Sequence, residues 1–392
     1  MRTRHSSEPR RRSTKLRIGI DARFWGLTHA GLGRYVMELV SGLTHLDKDN
    51  DYTLFVRSPH DEEIEVGKNF HLVRADINHY SLEEQWLLPE IFNKYNLDLL
   101  HVPHFNVPLF YKKPFVVTIH DLLWHEVKGL SVTTQNPLTY LVKYLGYRSV
   151  VRNALKRSSL IFVPSRVILE KLVKDHAVAE KKIRVTYEAP ADIFRPLAED
   201  PTILSKYQVR KPFVIYTGSA YPHKNIPQAA AAVKRLNQQG ERLTFVVASS
   251  RSVFLERLSR KLQNEGSDKH VRLIGFVPDE DLTKLYSQAV ALLQPSHSEG
   301  FGLTGLEAMA AGLPVIASRS PVFQEIYQDA ALYFDSQSKN DLETVLQTIL
   351  NDGDLRRKLI RKGLERAKQF SWKTLVKQTL TGYRVALAQT GI

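Results

Sequence analysis

The chain has 392 residues, 43% of them hydrophobic and 24% charged, a balance that suits a globular protein with two cores of ordinary size. It contains no cysteine, which excludes disulfides, thiolate nucleophiles and cysteine-ligated metals. The formal net charge of +14 calls for anionic partners; phosphates on a small substrate, an anionic membrane surface and nucleic acid all qualify, and charge alone does not rank them.

In chain order, residues 1–15 come first. They gather Arg2, Arg4, Arg10, Arg11, Arg12 and Lys15 against Glu8 without any apolar run, and read as a disordered basic tail. The chain shows no secretory signal and no stretch of transmembrane length, so a cytoplasmic location is expected. From Leu16 onward, short β-branched runs alternate with longer segments of helical period, the pattern of parallel sheets covered by helices. Strands are predicted at Leu16–Asp21, Tyr52–Val56, Leu97–Val102, Phe115–His120, Leu160–Val163 and Ile183–Tyr187. A second series follows at Phe213–Gly218, Leu243–Ala248, Val271–Phe276, Ala289–Gln294, Pro314–Ala317 and Ala331–Phe334. Each half reads as a Rossmann-like, doubly wound parallel sheet, residues 16–195 and 205–370. Between them the run EAPADIFRPLAEDP gathers three prolines without a clean period. Ligands of such sheets bind beyond the carboxyl ends of strands, so candidate residues are sought there.

Near the start, GIDARFWGLTHAGLGRYVMEL carries Gly31 and Gly33 at a helix entrance. A dinucleotide fingerprint is disfavoured, because the glycines come late after the strand, Val36 takes the third glycine position and no acid closes the next strand. An ordinary helix start is the alternative. Asp47, Asp49 and Asp51 read as solvated turn residues rather than a metal site, and the histidines show no pair at metal-ligand spacing, so no metal is expected. His120 ends a buried strand and points at the predicted cleft, although a lone histidine there is commonly structural. Residues 139–158, TYLVKYLGYRSVVRNALKRS, form a basic amphipathic helix; such helices contact anionic membranes or simply pack on a sheet. Lys224 follows the strand FVIYTG as a cation where a new helix begins, or as an ordinary surface lysine.

The richest segment is PSHSEGFGLTGLEAMAAGLPVIAS. A Gly-rich loop leads into a helix that ends at Gly312, and the backbone N–H groups of a first helical turn favour a diphosphate. Gly300 and Gly302 allow close approach of that backbone. Glu299 precedes the helix and Glu307 falls within its first turn, so the two carboxylates can grip hydroxyls on either side of the phosphates. Two plainer readings stand beside this one: Glu299 as a solvated loop acid, and Thr304 to Glu307 as a capping box.

The block EGFGLTGLEAMAAGLPVIAS resembles the Glu-x7-Glu motif of the retaining glycosyltransferases of GT-B fold commonly called family 4, and the resemblance runs from about Leu16 through nearly the whole chain. It implies two Rossmann-like domains facing across a cleft, and a last helix, residues 371–390, that crosses back to the first domain. It places Glu299 on the transferred sugar and Glu307 on the ribose, with Gly300, Phe301, Gly302, Leu303 and Thr304 in the donor-binding segment. It puts Lys224 on the leaving diphosphate so that no metal is required, backbone near Val277 on the donor, and the loop of Gly31, Gly33 and Arg34 over the phosphates. His120 would position a sugar hydroxyl and, through its backbone carbonyl, stabilise positive charge near the reacting carbon. Two departures are visible: Thr304–Gly305 where many relatives carry Pro, and Ser219 where some carry a second phosphate-binding Arg.

The runs IGIDAR, HVPHFNVPLF and TIHDL look most like bacterial mannosyl- and rhamnosyltransferases of surface polysaccharide assembly. The resemblance therefore implies a nucleotide-sugar donor, GDP-mannose first and UDP-glucose second, no cofactor, and a glycan or glycolipid acceptor. A sugar-nucleotide epimerase, a phosphorylase or a non-catalytic donor-binding protein would share the fold. A nucleic-acid-binding protein is the reading from charge alone, and no aromatic-basic recognition motif supports it.

Overall fold

The structure, a computed structural model, describes residues 15–58, 64–122, 137–338 and 340–390; most of the expected basic tail, residues 1–14, lies outside the described residues. Strands β1 Arg17–Asp21, β2 Asp51–Val56, β3 Phe70–Arg74, β4 Leu99–Val102, β5 Phe115–Thr118, β6 Leu160–Val163 and β7 Ile183–Val185 form a sheet in the order β3-β2-β1-β4-β5-β6-β7. Strands β8 Phe213–Thr217, β9 Thr244–Ala248, β10 Val271–Gly275, β11 Leu292–Gln294, β12 Val315–Ser318 and β13 Ala331–Phe334 form the other, in the order β10-β9-β8-β11-β12-β13. Neighbouring strands run parallel throughout, as where Ile18 of β1 lies between Tyr52 and Leu99. All residues of β4, β5, β6 and β12 are buried, because helices cover both faces of each sheet and leave no solvated side to alternate with.

The edge strand β3 is absent from the predicted set. Only Phe70 of its five residues is buried, so it lacks the continuous apolar run that marks its neighbours. Strand β5 ends at Thr118, which leaves His120 in the loop beyond it. Asp47 also departs from expectation: it is buried, and its carboxylate accepts from the Tyr52 hydroxyl and the Asn50 side chain at 2.6 Å each and from the Asp49 backbone at 3.0 Å. It folds the turn into β2 rather than facing water.

Each sheet reverses its winding at one place, between β1 and β4 in the first and between β8 and β11 in the second. Loops leaving adjacent strands diverge at such a switch point and open a crevice. The loops after β8 and β11 are those that carry Lys224 and Glu299. Residues Ala191, Phe194, Ile203 and Val209 join the core of the second sheet. The last helix, Trp372–Thr390, returns to the first: Leu375, Val376, Tyr383, Ala386 and Leu387 pack with Ile18, Val40 and Phe162. Tyr383 seals that return through a hydrogen bond of 2.7 Å to Nδ1 of the buried His101. Among the described residues no helix is long and apolar enough to cross a membrane.

Candidate active site

Strand β8 runs out through Gly218, at φ 141°, into a single 3-10 turn, Pro222–Lys224, and Asn225, at φ 53°, redirects the chain into the helix Ile226–Gln238. Strand β11 runs out through Ser296 and Glu299 to Gly302, whose φ of 95° caps the helix Leu303–Ala310. The two loops are tied together by the His297 backbone N–H, which donates to the His223 carbonyl at 2.9 Å. That tie sets Lys224 Nζ 2.6 Å from Glu299 Oε1, with both side chains largely shielded from water. Burial opposes the charge on Glu299, yet the Lys224 ammonium, by its charge and its hydrogen bond, holds the carboxyl below the ordinary range.

The helix starts before Thr304. Gly302 is its cap, no side chain caps it, and Glu307 lies one turn further in. The capping-box reading of Thr304 and Glu307 is therefore overturned: Thr304 instead accepts a hydrogen bond of 2.6 Å from Gln294. Glu307 is buried at 3% exposure, and burial is the first reason its carboxyl is pushed up to about 8; nearby Asp279, Glu188 and Glu38 add to the rise, and Arg34 opposes it. Arg34 Nε approaches Glu307 Oε1 to 3.0 Å, but that oxygen receives no hydrogen bond among the described residues. The guanidinium is aimed instead at Asp279, to which Nη2 donates at 2.6 Å. Arg34 belongs to the first domain and both acids to the second, so this contact spans the cleft.

His120 meets the second domain from the other side. Its Nδ1 lies 3.0 Å from Glu188 Oε1 and its Nε2 3.2 Å from the Pro103 carbonyl, with Tyr35 edge-on at 4.6 Å. A Cβ added to Gly300 would lie 1.9 Å from the His120 carbonyl oxygen, so only glycine admits this approach. Ser165 donates to the Gly300 carbonyl at 2.8 Å, and Glu325 accepts from the Arg166 and Val167 backbone at 2.8 and 3.0 Å. The site is thus closed by contacts between the two domains.

The remaining expected residues fall in several places. Gly302 and Gly305 are required by Tyr327, whose hydroxyl would lie 2.3 and 2.2 Å from an added Cβ and donates to the Gly302 carbonyl at 2.6 Å. Phe301 and Val277 bury their side chains in the second core, leaving only backbone for a ligand. Leu303 is the first residue of the capped helix and packs beside the same core. Gly33 lies where a Cβ would meet the Gly26 carbonyl, while Gly31 has open space; both sit inside the helix Ala30–Leu46 rather than in a loop before it. Glu188, Asp279, Ser165 and Glu325 were not anticipated. Glu188, Ser165 and Asp279 do offer a signal, since they follow the ends of β7, β6 and β10; Glu325, inside a helix, offers none. Among the described residues no group of three or more His, Asp or Glu side chains is placed to hold a metal ion.

Two facing, doubly wound parallel sheets with a capped helix, a lysine–glutamate pair and a histidine converging on the cleft define a GT-B architecture. A family model described as Glycosyl transferases group 1 matches residues 203–366, and one described as Glycosyltransferase Family 4 matches residues 29–189; the chain belongs to these glycosyltransferases. It is 27% identical over 375 residues to the O-antigen chain mannosyltransferase B of Escherichia coli, a match that spans 91% of this chain and 96% of that one. Its fold is shared with a sucrose-phosphate synthase from Thermosynechococcus elongatus at TM-score 0.77 and 23% identity, covering 96% of this chain and 100% of that one. Anabaena HepE in complex with UDP-glucose also shares it, at TM-score 0.70 and 15% identity over 96% and 99% of the two chains.

Proposed function

We propose that this glycosyltransferase moves a hexose, mannose first among the candidates, from a nucleotide diphosphate to a hydroxyl of a glycan or glycolipid, with retention of configuration. The single observation that carries the site assignment is the 2.6 Å pair of Lys224 and Glu299 beside the helix that begins at Leu303. An arriving diphosphate competes for Lys224 and takes the positive end of that helix. Glu299, released from Lys224, then accepts hydrogen bonds from the sugar hydroxyls, while Glu307 accepts them from the ribose. Lys224 neutralises the departing diphosphate, so the reaction needs no metal. The His120 carbonyl beside Gly300 faces the developing positive charge at the anomeric carbon. The leaving phosphate takes the acceptor proton on the same face, with water excluded by closure of the cleft.

GDP-mannose is the preferred donor, with support from the mannosyltransferase relative, and UDP-glucose is second, with support from the HepE complex. The test is to supply each nucleotide sugar with a hydroxyl acceptor and follow both glycoside formation and anomeric configuration by NMR. Transfer from GDP-mannose with retention is expected, and Glu299→Gln should lower turnover by about a hundredfold or more while the chain stays folded, its melting temperature reduced by loss of the Lys224 pair. Inversion, isomerised donor or an unaffected Glu299→Gln enzyme refutes the reading.

Peripheral contact with an anionic membrane through residues 139–158 belongs to the same proposal. Leu141 and Leu145 are about half exposed on a helix that also carries Lys143, Arg148 and Arg152. Co-sedimentation with vesicles containing anionic lipid tests it: binding should weaken on Leu145→Asp, and equal binding to neutral vesicles refutes it.

A further inference from the structure

Donor binding leaves one buried network of the first domain without a role. Arg23, just past β1, has no exposed side-chain surface. Its Nε and Nη2 donate to the two Asp21 oxygens at 2.8 Å each, Nη2 also to Glu84 Oε1 at 2.6 Å, and Nη1 to the Ile77 carbonyl at 3.2 Å. The other Glu84 oxygen accepts from Asn106 at 2.6 Å and from the Tyr80 backbone N–H at 2.9 Å. The chain of bonds therefore ends on Tyr80.

Tyr80 stands at φ 60°, in the left-handed region that is costly for an aromatic residue, yet the residue is 58% exposed. A rigid buried network thus holds a strained backbone in order to present a ring rather than bury it. Other rings stand beside it. Phe24 stacks on His79 at 3.8 Å and 15°, and His104 lies 5.2 Å from Phe24 and 6.0 Å from Tyr80. Both ring nitrogens of His79 and Nδ1 of His104 are shut from water and have no hydrogen-bond partner among the described residues. Burial pushes His79 down to about 4 and His104 well below its ordinary value, so each imidazole is neutral and offers one donor and one acceptor. Desolvation, then the negative charges of Glu84 and Asp121, push the Tyr80 phenol up, and Tyr221 lies near enough to interact with it. Tyr221 lies just before Lys224 on the opposite side of the cleft, so the wall of rings faces the diphosphate loop.

These surfaces call for a particular ligand. Two carboxylates against one guanidinium leave the network beneath the rings negative, which disfavours an anion. Exposed aromatic face suits the C–H face of a pyranose. We propose that Phe24, His79, Tyr80 and His104 form the acceptor subsite, and that its occupant is an uncharged pyranose ring stacked on Tyr80, with the other three rings as the wall behind it. This inference rests on the transfer reading, which puts the acceptor in the first domain.

The test is saturation-transfer NMR on the full chain with nucleoside diphosphate present. The ligands are methyl glycosides of mannose, glucose, galactose, N-acetylglucosamine and rhamnose, with mannose 6-phosphate as the charged comparison. At least one neutral glycoside should show saturation of its ring C–H protons. Tyr80→Asn, which tolerates the left-handed backbone, should weaken it about tenfold or more, and Tyr80→Phe should restore it. Nucleoside diphosphate binding should stay unchanged in both variants; should Tyr80→Asn lose it, Phe24→Leu makes the same comparison without touching the strained residue. Silence from every neutral glycoside, tighter binding of the sugar phosphate, or wild-type affinity in both Tyr80→Asn and Phe24→Leu overturns the proposal. Failure of the transfer reading itself registers separately, as failure of the wild-type chain to bind any nucleotide sugar.

Discussion

Binding of a nucleotide sugar should expel a proton from Glu307. Its carboxyl is raised to about 8 by burial, with Asp279, Glu188 and Glu38 adding to the rise and Arg34 opposing it. A carboxyl at that value is about nine-tenths protonated at pH 7 and about one-tenth protonated at pH 9. Ribose hydroxyls can donate only to an acceptor, and hydrogen bonds to the ionised form pull its pKa back down. Roughly 0.9 proton per site should therefore leave on binding at pH 7, and roughly 0.1 at pH 9. Isothermal titration with GDP-mannose in Pipes and in Tris reads this directly, because the released proton is taken up with different buffer enthalpies. A nucleotide sugar is the right ligand, since its diphosphate is substituted at both ends and has no proton of its own to lose near neutrality. Affinity should rise with pH up to about 8 and then level, with a limiting slope of about tenfold per unit. Glu307→Gln should abolish both the proton release and the slope, which separates this residue from Glu38, also raised first by burial. Equal enthalpies in the two buffers, or release that survives Glu307→Gln, refutes the reasoning.

Two further outcomes follow from packing. Gly300→Ala would force a Cβ to within 1.9 Å of the His120 carbonyl, so the domains must separate there; turnover should fall about tenfold or more, while the thermal midpoint, set by the two cores, shifts little. Tyr383→Phe removes the 2.7 Å bond to buried His101 and should cost about 1–3 kcal/mol, read as a lowered denaturant midpoint. An unchanged midpoint would mean that the last helix is held by its apolar face alone.

Much of the fold was legible because parallel strands covered on both faces must be apolar throughout, and such runs stand out from their surroundings. Strand β3 escaped because an edge position with one buried residue has no such run. The Glu299 segment was legible for a similar reason: its glycines, acids and helix period lie within a dozen residues. The position of the helix start was not, because Thr304 satisfies the local capping pattern while the left-handed Gly302 ends the loop first. Arg34 and Asp279 are 245 residues apart in the chain, and no spacing rule connects them. Their meeting is a product of how two complete domains face each other, as is the approach of the His120 carbonyl to Gly300.

The return of the last helix to the first domain has a mechanical consequence. The chain passes between the domains twice, near Tyr187 and again near Phe370, and these two residues meet edge-on at 5.8 Å, with the Arg366 guanidinium over the Phe370 ring at 4.8 Å. A body tethered at one point can tilt, twist and swing. Tethered at two neighbouring points it keeps one soft rotation, about the line through both, like a door on a pair of hinges. A rotation about that line would bring Arg34 to Asp279 and His120 to Gly300 in one register, and because Tyr187 and Phe370 both pack on Phe301, at 6.3 and 5.8 Å, the axle is built into the wall of the site itself.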